Sequence, residues 1–241
     1  MSNYRMSLIG LLALCAWVTA VPAAAPDDEM EVALALLPDA QRGAQTYATY
    51  CLACHLEEAW GLEDGAFPQL AGQHRNVLIK QLADIRAGNR DVPTMMPFAD
   101  PALIGGPQAL ADLAAYIAGF PMTPHNGVGA GDDLALGERI YRVQCQACHG
   151  EVAEGHNERL YPRLQGQHYA YLLRQLHWIR DGKRRNAHPE QVRLLKQLSE
   201  RELAAVSDYV ARLQPPPRDL AVAAPGPADR TDTAGWHVDW R

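Results

Sequence analysis

Apolar residues along this chain recur at the three-to-four spacing that marks one face of a helix. Val77, Leu78, Leu82 and Ile85 predict a helix over about 75–86, and Leu172, Leu173, Leu176 and Ile179 predict its like over 169–180. Gly88 and Gly182 follow as stop signals. Comparable patterns cover about 39–54 and 134–148, and again 108–120 and 200–213. The two-residue alternation of a half-buried strand is absent, so the pattern predicts an all-α chain. Three main helices occur, and then three more of matching order.

The match extends from pattern to residue identity. At an offset of 94 positions Gly43 falls on Gly137 and Tyr47 on Tyr141. Pro68-Gln69-Leu70-Ala71-Gly72-Gln73-His74 falls on Pro162-Arg163-Leu164-Gln165-Gly166-Gln167-His168, and Arg90 on Arg184. No gap is needed over this stretch, which points to one ancestral unit written twice. The units span 39–120 and 134–213. Between them, residues 121–133 carry Pro121, Pro124, Gly127, Gly129 and Gly131, a linker composition. From 214 onward Pro215-Pro216-Pro217 opens a Pro-rich tail that lacks the apolar content to fold alone, and its Trp236 and Trp240 are candidate docking anchors.

Each unit contains Cys-x-x-Cys-His: Cys51, Cys54 and His55, then Cys145, Cys148 and His149. This is the attachment signature of a c-type haem. Two thiols on one helical turn can add to the two vinyl groups of a porphyrin, and the histidine that follows then lies beneath the ring with a nitrogen facing the iron. A zinc site would bring its cysteine pairs within roughly 12–20 residues of each other, far less than the offset here. A thioredoxin-like dithiol would need a βαβ setting, and a disulfide closing so short a loop gains little.

Composition narrows the function. The chain of 241 residues is 48% hydrophobic with a formal net charge of −6, which argues against a nucleic-acid partner. At its start Arg5 precedes an apolar run over 6–20 and then the small residues of 21–25. That order reads as a secretory signal peptide over 1–25, cut after Ala20 or near Ala24, and the run is short for a membrane span. Leu14 before Cys15 is too large for a lipoprotein cleavage site. Removal of Cys15 leaves four cysteines, all inside the two motifs. The expectation is export to the periplasm with no integral membrane span in the mature chain.

Two short helical units, each with Cys-x-x-Cys-His and a Pro-x-Leu-x-Gly-Gln loop, resemble tandem class I cytochromes c, and the arrangement is similar to the cytochrome c4 family. The run over 161–168 and the Gln-Leu helix after it carry the resemblance best. It implies periplasmic single-electron transfer between redox protein partners by two covalently bound haem c groups, and the leading reading is an electron carrier rather than an enzyme. It places His55 and His149 as proximal iron ligands, with the carbonyls of Pro68 and Pro162 orienting them. It also implies a methionine as sixth ligand of each haem.

The first unit offers Met95 and Met96, and spacing back from the last helix favours Met96. The second departs from the pattern, because no methionine follows Met122. Two outcomes stay open there. His188 swings in to give a bis-histidine haem, or the iron keeps water or an open position. The second outcome carries an alternative function, a catalytic or ligand-binding dihaem cytochrome of peroxidase-like or sulfur-oxidising type. A third reading is the cytochrome subunit of a larger redox complex, with the tail as its docking segment.

Overall fold

The computed structural model describes residues 26–222, and among these no β-strand occurs. The signal-peptide expectation and the tail tryptophans lie outside the described residues. In the first unit α1 (Pro26–Ala35) precedes α2 (Ala40–Tyr50) and the single turn α3 (Leu52–His55). Then come α4 (Arg75–Arg86), the short α5 (Met96–Ala99) and α6 (Pro101–Ile104), and α7 (Pro107–Ala118). The second unit repeats the order with α8 (Leu134–Ile140), a π-turn over Tyr141–Cys145, α9 (Gln146–His149), α10 (Tyr169–Arg180), α11 (Pro189–Leu195) and α12 (Glu200–Ala211).

In each unit the first long helix crosses the last, and a glycine makes the crossing possible. A Cβ on Gly43 would stand 2.2 Å from the Asp112 carbonyl oxygen, and one on Gly137 would stand 2.1 Å from that of Ala205. Backbones approach this closely only where no side chain intervenes. Tyr47 packs beside Tyr116 and Phe120, and Tyr141 beside Tyr209. Each tyrosine hydroxyl donates to the carbonyl of the residue after the motif histidine, Leu56 at 2.6 Å and Gly150 at 2.7 Å. The long helix and the motif turn are therefore tied together at one point in both units.

Helix ends follow from local chemistry. Asp39 accepts from the backbone N–H groups of Gln41 and Arg42 at the start of α2. Ser199 and Glu202 form a capping box on α12. Helix α1 is absent from the sequence expectation. Its Glu29 forms an ion pair with Arg86, whose guanidinium also donates to the carbonyls of Ala99 and Gly105. Pro26 followed by Asp27, Asp28 and Glu29 is a helix-start signal that the adjoining leader obscures.

The two units meet across a pseudo-twofold seam. The Gln69 N–H donates to Gln167 Oε1 at 3.0 Å, and the Arg163 N–H, its counterpart, donates to Gln73 Oε1 at 2.9 Å. His74 Nε2 donates to the Glu154 carbonyl and His168 Nε2 to that of Trp60, both at 2.8 Å. The shift of 94 residues exchanges these pairs, as an isologous contact requires. Met122 lies against both Gly72 and Gly166, on the line between the units.

Residues 214–222 lie along the linker. Asp219 accepts from the Met122 N–H and pairs with Arg163, and the Ala221 N–H donates to the Met122 carbonyl. Proline removes donors but also lowers the entropy of an extended strap, so few contacts suffice to hold it.

The seam carries a pH dependence. His168 Nδ1 accepts from the Gly127 N–H at 3.1 Å while Nε2 donates to Trp60, so both nitrogens are used only in the neutral ring. Burial pushes its pKa below the ordinary value, against the pull of the Trp60 carbonyl. A lowered folded pKa gives stability that is present above about pH 6.5 and is lost as pH falls through the lowered value. Acidification from pH 7 is therefore expected to lower the melting temperature. A His168→Leu variant loses about 1–2 kcal/mol at neutral pH and shows a shallower acid decline, measured by calorimetry across pH.

Candidate functional site

Cys51 and Cys145 stand at the N-caps of α3 and α9, and the second cysteine and the histidine of each motif complete a single helical turn. All four thiols are free. Burial, reinforced by the neighbouring thiol, pushes both Cys51 and Cys145 up to about 11. They are protonated at neutral pH, the state that adds across a vinyl group, and poor at the thiolate chemistry of a redox dithiol.

Both motif histidines are buried, His55 at 4% and His149 at 9% exposure. Nδ1 of His55 lies 3.4 Å from the Pro68 carbonyl oxygen, and Nδ1 of His149 lies 3.1 Å from that of Pro162. A carbonyl only accepts, so Nδ1 carries the proton and Nε2 keeps its lone pair free for a metal. Burial lowers the His55 pKa to about 4, with Arg90 adding to the effect and the Pro68 hydrogen bond opposing it. His149 is lowered by burial in the same way, with Arg184 in the role of Arg90. Both rings are neutral at physiological pH. Phe67 stands edge-on to His55 with centroids 6.1 Å apart, and Tyr161 takes the corresponding place at His149.

Whether a haem fits is tested by polar groups left without partners. Arg90 and Arg184 face one another across the seam, and neither has an ion pair among the described residues. Arg184 contacts only the neutral oxygens of Gln175, Gln81 and Asn186, and Arg90 donates to the Tyr171 hydroxyl while its Nε has no partner. Burial lowers the Arg184 pKa to about 10, and the positive charge of Arg90 adds to this. Two half-buried cations facing one another without a carboxylate are unfavourable. The two carboxylate side chains that every haem carries are the missing partner, and Arg90 and Arg184 are the residues that would hold them. The donor set of thiol pair, neutral imidazole and seam arginine fits the group in both units.

The sixth position differs between the units. Met95 caps α5 and is partly buried, and Met96 opens that helix at 47% exposure. In the second unit His188 caps α11, where its Nδ1 accepts from the Glu190 N–H at 3.2 Å. The ring is exposed. Recruiting it to an iron leaves Nε2 available, but reorienting the ring gives up the cap, worth about 1 kcal/mol. Met122 is buried in the linker, with its sulfur 3.4 Å from Arg163 Nη1, and is committed there.

The Gln73-His74 and Gln167-His168 pairs that end the two loops are placed in the seam. Their signal was identical polar side chains in both repeats, at positions a hydrophobic core does not need. His177 pairs with Glu200 and His156 with Glu158, both away from the motifs.

Known proteins match this architecture. The family model described as "Cytochrome C oxidase, cbb3-type, subunit III" matches twice, at residues 38–117 and 132–210. Cytochrome c4 of Azotobacter vinelandii is 35% identical over 196 residues, covering 73% of this chain and 89% of that protein. A thiosulfate dehydrogenase electron acceptor of Stutzerimonas stutzeri (strain A1501) is 33% identical over 188 residues, covering 72% of this chain and 83% of its own length. Among solved structures, reduced recombinant cytochrome c4 from Pseudomonas stutzeri superposes with a TM-score of 0.66 at 30% identity, covering 74% of this chain and all of that one.

Proposed function

Since the chain belongs to the cytochrome c4 family, we propose that it is a periplasmic electron carrier with two covalently bound haem c groups, passing single electrons between redox protein partners. The observation that carries this reading is the duplicated arrangement of free thiols and a buried, neutral histidine held by a proline carbonyl. No described helix is long and apolar enough to cross a membrane. The bound haem supplies one-electron iron chemistry. The rest is done by the chain. Cys51 and Cys54, and Cys145 and Cys148, would hold the group by thioether bonds. Pro68 and Pro162 fix the proton of His55 and His149 on Nδ1, which leaves the Nε2 lone pair free and would let it bind the iron. Arg90 and Arg184 offset the carboxylate charge, and the hydrogen bonds of the seam keep the two sites at a fixed separation.

The two sites are not equivalent in this proposal. Met96 completes the first, and a thioether ligand raises its reduction potential. His188 or water completes the second. The second reading, a ligand-binding or catalytic second haem, is favoured by the absence of any methionine after Met122 and by the engagement of His188 in a helix cap. Substitution of His188 separates the two. If His188 is the ligand, His188→Ala turns a low-spin component high-spin and opens it to carbon monoxide. If the site is open in the parent, carbon monoxide binds the parent protein and His188→Ala leaves its absorption and EPR spectra unchanged.

A further inference from the structure

The offset of 94 residues that relates the two units exposes one place where they are built differently. In the first unit Trp60 packs on the core cluster that contains Ala71, and its Nε1–H donates to the Pro121 carbonyl at 2.9 Å. The linker is thereby fastened over an apolar contact. In the second unit the same register positions are Glu154, Gln165 and Pro215. The strap passes over them much as the linker does in the first: a Cβ on Gly166 would meet Pro215, as one on Gly72 would meet Met122. Glutamate and glutamine do not reproduce the apolar contact, and a cavity of about 350 Å³ stands between loop and strap. Its lining includes Glu154, Arg163, Gln165, Arg218 and Asp219, and no residue of either Cys-x-x-Cys-His motif.

The floor of the cavity is polar and unsatisfied. Gln165 is 1% exposed, yet neither its Oε1 nor its Nε2 has a hydrogen-bond partner among the described residues. Buried side-chain amides are nearly always paired, because a bare donor or acceptor has lost its water and gained nothing. Arg163 Nε is buried and unpartnered too, although its Nη1 pairs with Asp219 at 2.9 Å. Among the described residues the Glu154 carboxylate accepts from the Val152 N–H alone, at 3.0 Å. Arg218 projects from the strap, its Nε 3.6 Å from Asp219.

We propose that this cavity is a binding site for a small zwitterion of the free amino acid class. Charge decides the class. The two guanidiniums and the two carboxylates sum to zero, so a simple anion meets Glu154 and Asp219, and a simple cation meets Arg163 and Arg218. A molecule with a carboxylate and an ammonium a few ångström apart suits both, its carboxylate toward Arg163 Nε and Arg218 and its ammonium toward Glu154. The Gln165 amide adds one donor side and one acceptor side beneath it. The volume lies at the small end of ligand sites, which suits a molecule of few heavy atoms. Such a ligand bridges the second unit to the strap, where the first unit uses Trp60.

Isothermal titration calorimetry of the full-length, haem-loaded protein with L-alanine, acetate and methylamine tests the site. L-alanine is expected to bind saturably, with acetate and methylamine, each carrying one of its charges, about tenfold weaker. Gln165→Ala, which gives the second unit the residue of the first, is expected to lower the L-alanine affinity about tenfold, and so is Glu154→Gln, a replacement of equal size. The melting temperature of each variant without ligand shows that it is folded. Absence of saturable L-alanine heat would mean that the cavity holds water alone, and would overturn the proposal. Acetate binding as tightly as L-alanine would make it a plain anion site, and unchanged affinity in both variants would place the binding elsewhere; either result overturns it as well. The residues of this cavity hold no part of the proposed haem groups, so this outcome and the haem count stand or fall separately.

Discussion

A Cys145→Ser, Cys148→Ser variant is expected to purify with one haem c per chain where the parent carries two. Serine oxygen does not add to a vinyl group under these conditions, so the second unit would keep only His149 as an attachment, and one neutral imidazole holds a haem weakly and reversibly. The first unit has its own thiols, its own histidine and its own Pro68 carbonyl, so its haem stays. The loss also affects stability. Around the second motif Ile140, Leu172, Ile179, Leu195 and Leu203 form a buried cluster, and the partly buried Leu173, Leu176 and Val192 at its margin are apolar surface that a porphyrin would cover. Without that contact the unit loses buried apolar area at about 25 cal/mol per Å² and melts before its neighbour. Intact mass and haem absorbance per chain check the count. Two haems in the variant would contradict the assignment of these cysteines.

The second large effect is expected at Gly137. Alanine there places a Cβ 2.1 Å from the Ala205 carbonyl oxygen, 2.7 Å from its carbon and 2.8 Å from the Tyr209 Cβ. Two of these atoms are backbone in the middle of α12, which cannot move aside as a flexible side chain would. The helices must separate, and separation loosens the packing of Tyr141 against Tyr209 and strains the hydroxyl bond from Tyr141 to Gly150. A cost of about 3 kcal/mol follows, at the upper end of ordinary overpacking. It is read as a lowered melting temperature of the second unit with the haem count unchanged. An alanine variant as stable as the parent would show that the crossing is looser than described.

The parts that were legible in the sequence share a physical cause. Covalent attachment requires two thiols and a histidine at fixed spacing, so the motifs could be read directly. Helices α4 and α10 begin and end where their apolar periodicity and the following Gly88 and Gly182 place them, because packing on one face imposes that period. The seam was not legible, since hydrogen bonds such as Gln69 to Gln167 join residues far apart in the chain and leave no periodic trace. Helix α1 was hidden because its acidic start follows directly on an apolar leader. The strap over 214–222 was hidden because proline content predicts what a segment cannot form, not what it can lie against. At the second sixth position the sequence offers a missing methionine and a nearby histidine, and the structure adds that this histidine already caps a helix.

Two one-electron centres made unequal by their sixth ligands are the core of the proposed function. A spectroelectrochemical titration of the haem absorbance of the full-length protein tests it most directly. Two one-electron steps of equal amplitude are expected at different potentials, with the upper step shifted down in a Met96→Ala variant and the lower one unmoved. A single one-electron step accounting for all the haem absorbance would contradict it.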